Sequence, residues 1–163
     1  MEFARTGTLG PIKLGVSRSQ IRAEIGPPTT WYINMAGMKN DDDVDASPIW
    51  KYDDVELHFD DEEGVWLINF DDGIRKLWRC RALRLDPWVI RMGLPLEDLQ
   101  NALRNAQISF KTGTYPPEPT CTNILTEGGV QFLVRTTPVE FGSGPGLILI
   151  QRSKIPPRGK CEL

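Results

Sequence analysis

Apolar side chains stand four residues apart at Ile21 and Ile25, with Arg18, Arg22 and Glu24 at the positions around them. That spacing predicts a short amphipathic helix. Ser17 and Gln20 have the S-x-x-Q spacing of a capping box, which starts the helix at Arg18, and Gly26-Pro27-Pro28 supplies a left-handed cap followed by residues that cannot continue it. So short a helix holds in water only when its apolar face packs on something. Residues 10–14 form an extended lead-in, with Ile12 and Leu14 on one face. An echo returns after Pro87: Gly15 maps onto Gly93, and the same offset carries Ile21 onto Leu99 and Ile25 onto Leu103. Pro95 suits a first helical position and Glu97 and Asp98 suit the positive end of a helix dipole, which predicts a second helix over residues 95–106. Two half-domains of similar plan follow, although any two short helices with i, i+4 apolar pairs look alike.

The pattern between these helices changes to period two. Residues 49–52 lead through Asp53-Asp54 to Val55-Glu56-Leu57-His58-Phe59, an alternation that turns Val55, Leu57 and Phe59 inward and puts Glu56 and His58 on the opposite face. After a turn at 60–64, residues 65–70 are apolar except at Asn69, as in a central strand. Asp72-Gly73 is a strong hairpin signal, and residues 74–85 alternate basic and apolar side chains. In the second half, 107–110, 123–126, 130–136 and 147–151 read as strands, 112–122 as a proline-bearing loop, and 154–163 as a loose tail. The expected fold class is α+β, with two tandem helix-then-antiparallel-sheet repeats and both helices on one face of a sheet running through both halves. The expected division is a first repeat over 1–86, a divergent second over 87–153 and the tail. The other sheet face is then left for solvent or a partner.

With 163 residues, the chain can bury a real core without help from metals or disulfides. A net charge of −3 argues against nucleic acid as the main partner. The start of the chain lacks the pattern of a secretory signal and no segment is a membrane span, so the expected location is cytoplasmic, with no membrane partner. Cys80, Cys121 and Cys161 are odd in number and lack a C-x-x-C spacing, so they read as free thiols.

Candidate chemistry is sparse. His58 is the one histidine, without a nucleophile motif nearby, and reads as a surface imidazole on the sheet face. No catalytic residue, metal ligand or cofactor is expected. Asp41, Asp42, Asp43 and Asp45 lack the glycine and glutamate of an EF-hand loop and read as a solvated acidic loop. Together with Asp53, Asp54 and residues 60–63, that loop could steer a basic partner. Of the five tryptophans, Trp50 shares a strand face with Tyr52, and Trp66 shares one with Ile68 and Phe70. Core packing is the default for each, and either set would make an anchor patch on an uncovered face.

The combination Leu14-Gly15-Val16-Ser17, a helix ending Ile25-Gly26-Pro27-Pro28, Trp50-Lys51-Tyr52, Val55-Glu56-Leu57-His58-Phe59 and Gly64-Val65-Trp66-Leu67-Ile68 resembles the SmpA/OmlA-like pattern. That pattern is shared by a small lipoprotein of the outer-membrane barrel-assembly machinery and, in tandem, by the β-lactamase inhibitor protein. The resemblance covers residues 9–72 well and 88–152 faintly, and its motifs are those of packing and turns. It implies a curved, aromatic-bearing sheet face that grips another protein. The chain departs from the lipoprotein in having no lipid-bearing N-terminal cysteine, and from the inhibitor in having no cysteine pair in each repeat. The function expected is a non-catalytic inhibitor, of the immunity-protein kind, occluding a toxin or enzyme with a basic surface. Its expected contacts are Trp50, Tyr52, Glu56, His58, Trp66, Asp41, Asp42 and Asp43. The alternatives are an assembly module like that lipoprotein, or an enzyme using a cleft between halves, for which the sequence shows no converging ionisable groups.

Overall fold

The computed structural model describes residues 1–32, 44–70, 83, 90, 91, 93–137 and 144–154. Three short helices occur among them. α1 spans Glu2–Thr6 and ends on Gly7 with φ 70°, in the left-handed region. α2 spans Arg18–Ile25, starting where the capping box requires: Ser17 accepts from the Gln20 amide and the Gln20 side chain accepts from the Ser17 amide. Gly26 ends the helix with φ 86° but ψ −172°, so the chain leaves in an extended path rather than the expected left-handed turn. α3 spans Leu96–Asn105 behind Pro95.

Eight strands carry the rest: β1 (Thr30–Tyr32), β2 (Ile49–Tyr52), β3 (Val55–Phe59), β4 (Val65–Phe70), β5 (Phe110–Thr114), β6 (Cys121–Thr126), β7 (Gln131–Arg135) and β8 (Gly146–Ser153). They form one antiparallel sheet in the order β1-β2-β3-β4-β8-β7-β6-β5. The pairing of β4 with β8, Leu67 to Ser153 and Asn69 to Gln151, closes the sheet across the chain's midpoint. This corrects the expected fold class. A single eight-stranded sheet dominates and the helices have only five, eight and ten residues, so the protein is closer to all-β than to two helix-then-sheet repeats. What recurs is local. Gly15 donates to the Val65 carbonyl (2.8 Å) and Val65 to that of Val16 (3.0 Å); Gly93 donates to Leu147 (2.7 Å) and Leu147 to Leu94 (2.9 Å). Each clip turns on a glycine of positive φ, 86° and 77°.

The helices pack on one sheet face. Phe3, Ala4, Ile21, Leu99 and Leu103 join Trp50, Tyr52, Leu57, Ile68, Ile124, Phe132 and Ile150 in one cluster of buried side chains. The alternation expected in β3 holds, since Val55, Leu57 and Phe59 lie in this core. Between β3 and β4 the register shifts: Phe59 pairs with Val65 and His58 with Leu67, which leaves Trp66 as the extra residue of a bulge. Sequence signals failed at three places. β1 and α1 carry too few residues for a period to show, and β5 occupies residues expected to begin a loop. The basic-apolar stretch 74–85 lies outside the described residues apart from Leu83, which is buried.

Candidate functional site: the second face of the sheet

The face turned away from the helices is built by residues in cross-strand register. Lys51 stands opposite Glu56, Glu56 opposite Asn69, Asn69 opposite Gln151, and Gln151 opposite Gln131. Five adjacent strands, β2, β3, β4, β8 and β7, therefore each place one polar side chain in a single row. Because opposed residues share a face, these side chains reach one another. Asn69 donates to Glu56 Oε2 at 3.3 Å and Gln151 donates to Gln131 Oε1 at 2.7 Å. Lys51 Nζ lies 3.7 Å from Glu56 Oε1, and His58 Nε2 lies 3.5 Å from Glu56 Oε2. Beside the row, the bulge turns Trp66 to this side, where its ring meets that of His58 edge-on at 5.8 Å between centroids.

This face is not bare, contrary to the expectation of an uncovered surface. His58 is 4% exposed, Gln131 3% and Asn123 0%, and Ile49, Leu67 and Leu133 are buried beside them. Lys51, Glu56, Trp66, Asn69 and Gln151 are half-buried, so access is limited to parts of the row and to the Trp66 end. Asn69 Oδ1 and Gln131 Nε2 are buried without a hydrogen-bond partner. An unmade hydrogen bond of this kind costs about 1–3 kcal/mol.

The structure separates the residues singled out from the sequence. Glu56, His58 and Trp66 come together on the second face. Trp50 and Tyr52 do not: both point into the helix-covered core, 0% and 2% exposed, and they are structural side chains rather than a contact patch. The Trp50 indole donates to the Val44 carbonyl and the Tyr52 hydroxyl to the Gly26 carbonyl, the partners that let these polar groups be buried. His58 is buried, not the surface imidazole expected. Trp66 does not share a face with Ile68 and Phe70, because the bulge breaks the alternation. Asp41, Asp42 and Asp43 lie outside the described residues. Gln131 and Gln151 were missed. Their only signal is a glutamine at the inward-outward step of an otherwise apolar strand, which becomes meaningful once the pairing of β8 with both β4 and β7 is known.

Charge gathers at the Trp66 end. Asp61, Glu62 and Glu63 of the β3–β4 turn are exposed, while Asp60 pairs with Lys154 at 2.7 Å and accepts from the Gly64 amide at 2.9 Å. The hydrogen bond from Lys154 holds the Asp60 carboxyl below the usual carboxylate range. On the outer side of α2 a cleft of about 400 Å³ is lined by Arg18, Ser19, Arg22, Ala23, Asp45 and Glu63. Its arginines are already engaged: Arg22 forms a two-pronged pair with Asp45 (2.9 and 3.0 Å), and Arg18 lies 4.2 Å from the Phe59 ring centroid and donates to the Ser47 carbonyl. Burial lowers the Arg18 pKa, an effect partly opposed by Glu63 and Asp45. The cleft thus ties α2 to the segment before β2. Cys121 is a buried free thiol whose pKa is raised, chiefly by burial. No helix among the described residues is long and apolar enough to cross a membrane. No protein-family model, curated protein or solved structure matches this chain.

Proposed function

We propose that this protein is a non-catalytic binding protein, an inhibitor of the immunity-protein kind, and that it docks on a basic surface of a toxin or enzyme through the Trp66 end of its second sheet face. One observation carries the reading. A bulge places a half-buried tryptophan on the face away from the core, two residues beyond a turn with three exposed carboxylates, Asp61, Glu62 and Glu63. Half-buried tryptophans are the residue type that dominates binding energy at interfaces, and a rim of like charge speeds the approach of an oppositely charged partner. The polar row behind Trp66 supports the same reading, since its half-buried members Lys51, Glu56, Asn69 and Gln151 keep part of their polar surface open on the same face. So does the resemblance of residues 9–72 to modules that grip proteins with an aromatic sheet face. Glu56 and His58 support the tryptophan from below rather than reaching the partner first.

The test replaces Trp66 with a photo-crosslinking amino acid in the native host and identifies the captured protein, with the same probe at Glu97 on α3 as the control. Binding is then measured between purified partners. Trp66→Ala is expected to weaken it about 30-fold or more, the size of a hot-spot loss of about 2 kcal/mol. Asp61→Asn, Glu62→Gln and Glu63→Gln together are expected to slow association and flatten its salt dependence. A captured protein that binds these variants as tightly as the unaltered chain would overturn the proposal.

A further inference from the structure

β5 is the last strand in the order of the sheet, and its outer edge is paired with no strand among the described residues. Its bonds to β6 fix which backbone groups face outward. Glu127 donates to the Ser109 carbonyl at 2.9 Å and Tyr115 donates to the Cys121 carbonyl at 3.3 Å, so the odd-numbered residues 109–115 direct their N–H and C=O toward β6. Alternation in an antiparallel ladder then points the N–H and C=O of Phe110, Thr112 and Thr114 away from the sheet. Lys111, Thr112 and Thr114 are exposed. The strand contains no proline and its pairing with β6 runs without a bulge, so two devices that blunt an edge are absent from β5, and Lys111 is its one charged side chain.

We propose that this edge pairs with the same edge of a second copy of the chain, antiparallel about a two-fold axis through Thr112. The strand's own sequence selects that register. An axis at Thr112 sets Thr112 opposite its symmetry mate and Phe110 opposite Thr114 on either side, so each outward N–H and C=O finds a partner, about six hydrogen bonds in all. Lys111 then stands opposite Gly113, which offers it neither a clash nor a like charge. An axis at Lys111 would oppose the two lysines, which is destabilising. An axis at Gly113 would bring Phe110 opposite Pro116, which has no N–H to give. The pairing joins two eight-stranded sheets into one and closes on itself, because the two-fold axis consumes both copies' β5 edges.

Two measurements test this on the full chain. Sedimentation equilibrium is expected to show a mass rising from one chain toward two with concentration. Thr112→Pro is expected to lower the association constant at least tenfold while leaving the circular dichroism spectrum unchanged. Its missing N–H is one that β6 does not use, and its ring faces solvent. Thr114→Pro serves the same purpose should the first variant misfold. Independently, with Cys80 and Cys161 replaced by Ala, Thr112→Cys is expected to yield a disulfide-linked dimer on oxidation, since opposed residues of such a pair lie about 5.5 Å apart at Cα. Lys111→Cys, on the other face and out of register with its mate, is expected to yield none. A chain that stays monomeric at every concentration overturns the inference. So does a dimer that neither proline variant weakens, or one that crosslinks equally from both positions.

Discussion

Asp60 sits where three demands on one side chain meet. It ends β3, accepts the Gly64 amide that shapes the turn, and takes the Lys154 ammonium that fastens the end of β8 beneath that turn. The Lys154 hydrogen bond is the main reason its carboxyl titrates below the usual range. The sign follows from linkage: a carboxyl with a lower pKa folded than unfolded stabilises the fold above the unfolded value. That contribution is lost as pH falls through the ordinary carboxylate range to the lowered folded value. Followed by carboxyl-carbon NMR, the Asp60 midpoint is expected to lie below the ordinary carboxylate range. Lys154→Met is expected to move it up toward the ordinary range, and a midpoint that does not move would show that the Gly64 amide sets it instead. Because the pair is solvent-accessible, its share of stability is small and falls with added salt.

At the scale of elements, the shortest helix is the most closely fitted. α1 buries Phe3 and Ala4, sets the Phe3 ring 5.1 Å from that of Phe70, and reaches with Arg5 to the carbonyls of Ala106 and Gln107 at the end of α3. Its cap lies against the β6–β7 turn so closely that a Cβ on Gly128 would stand 2.6 Å from the Gly7 nitrogen and 2.8 Å from the Arg5 carbonyl oxygen. Those are backbone atoms and cannot step aside. Gly128→Ala is expected to cost about 1–3 kcal/mol in urea unfolding, the range for overpacking, whereas Gly144→Ala, with nothing within 4 Å of its added carbon, should be near neutral. Equal midpoints would show that α1 is not docked there in solution. The sequence conceals this contact because α1 has five residues, too few for an apolar period, and its partner glycines are some 120 positions away. It reveals α2 and α3 because the capping box of α2, the acidic first turn of α3 and the i, i+4 apolar pair in each are local signals. Trp66 lies between these cases: the apolar run from Val65 to Phe70 marks a strand plainly, but a bulge depends on how β4 meets β3, and no residue in the strand announces it.

At the scale of the molecule, the decisive feature is the β4–β8 pairing, which no local pattern predicts because it joins residues 67–69 to 151–153. It determines that Asn69, Gln151 and Gln131 form one row, and hence that the second face has a polar spine instead of the bare aromatic surface expected from strand patterns alone. It also bears on how the chain unfolds. Core residues of the first four strands and the last four belong to one cluster, and α1 reaches both, through Phe70 and through the β6–β7 turn. Independent halves would let each half lose structure alone; a shared core makes the free energy of either depend on the other. Trp31, Trp50 and Trp66 lie on β1, β2 and β4, so their fluorescence reports on the first four strands, while far-ultraviolet circular dichroism reports on every strand. The two signals are expected to trace one urea transition with a common midpoint. Ile150→Ala, which empties a fully buried site on β8 next to Phe132, is expected to shift both by an equivalent of about 2–5 kcal/mol. A fluorescence midpoint that stays in place while the dichroism midpoint falls would mean that the seam between β4 and β8 carries no coupling, and that the two ends of the sheet are held separately.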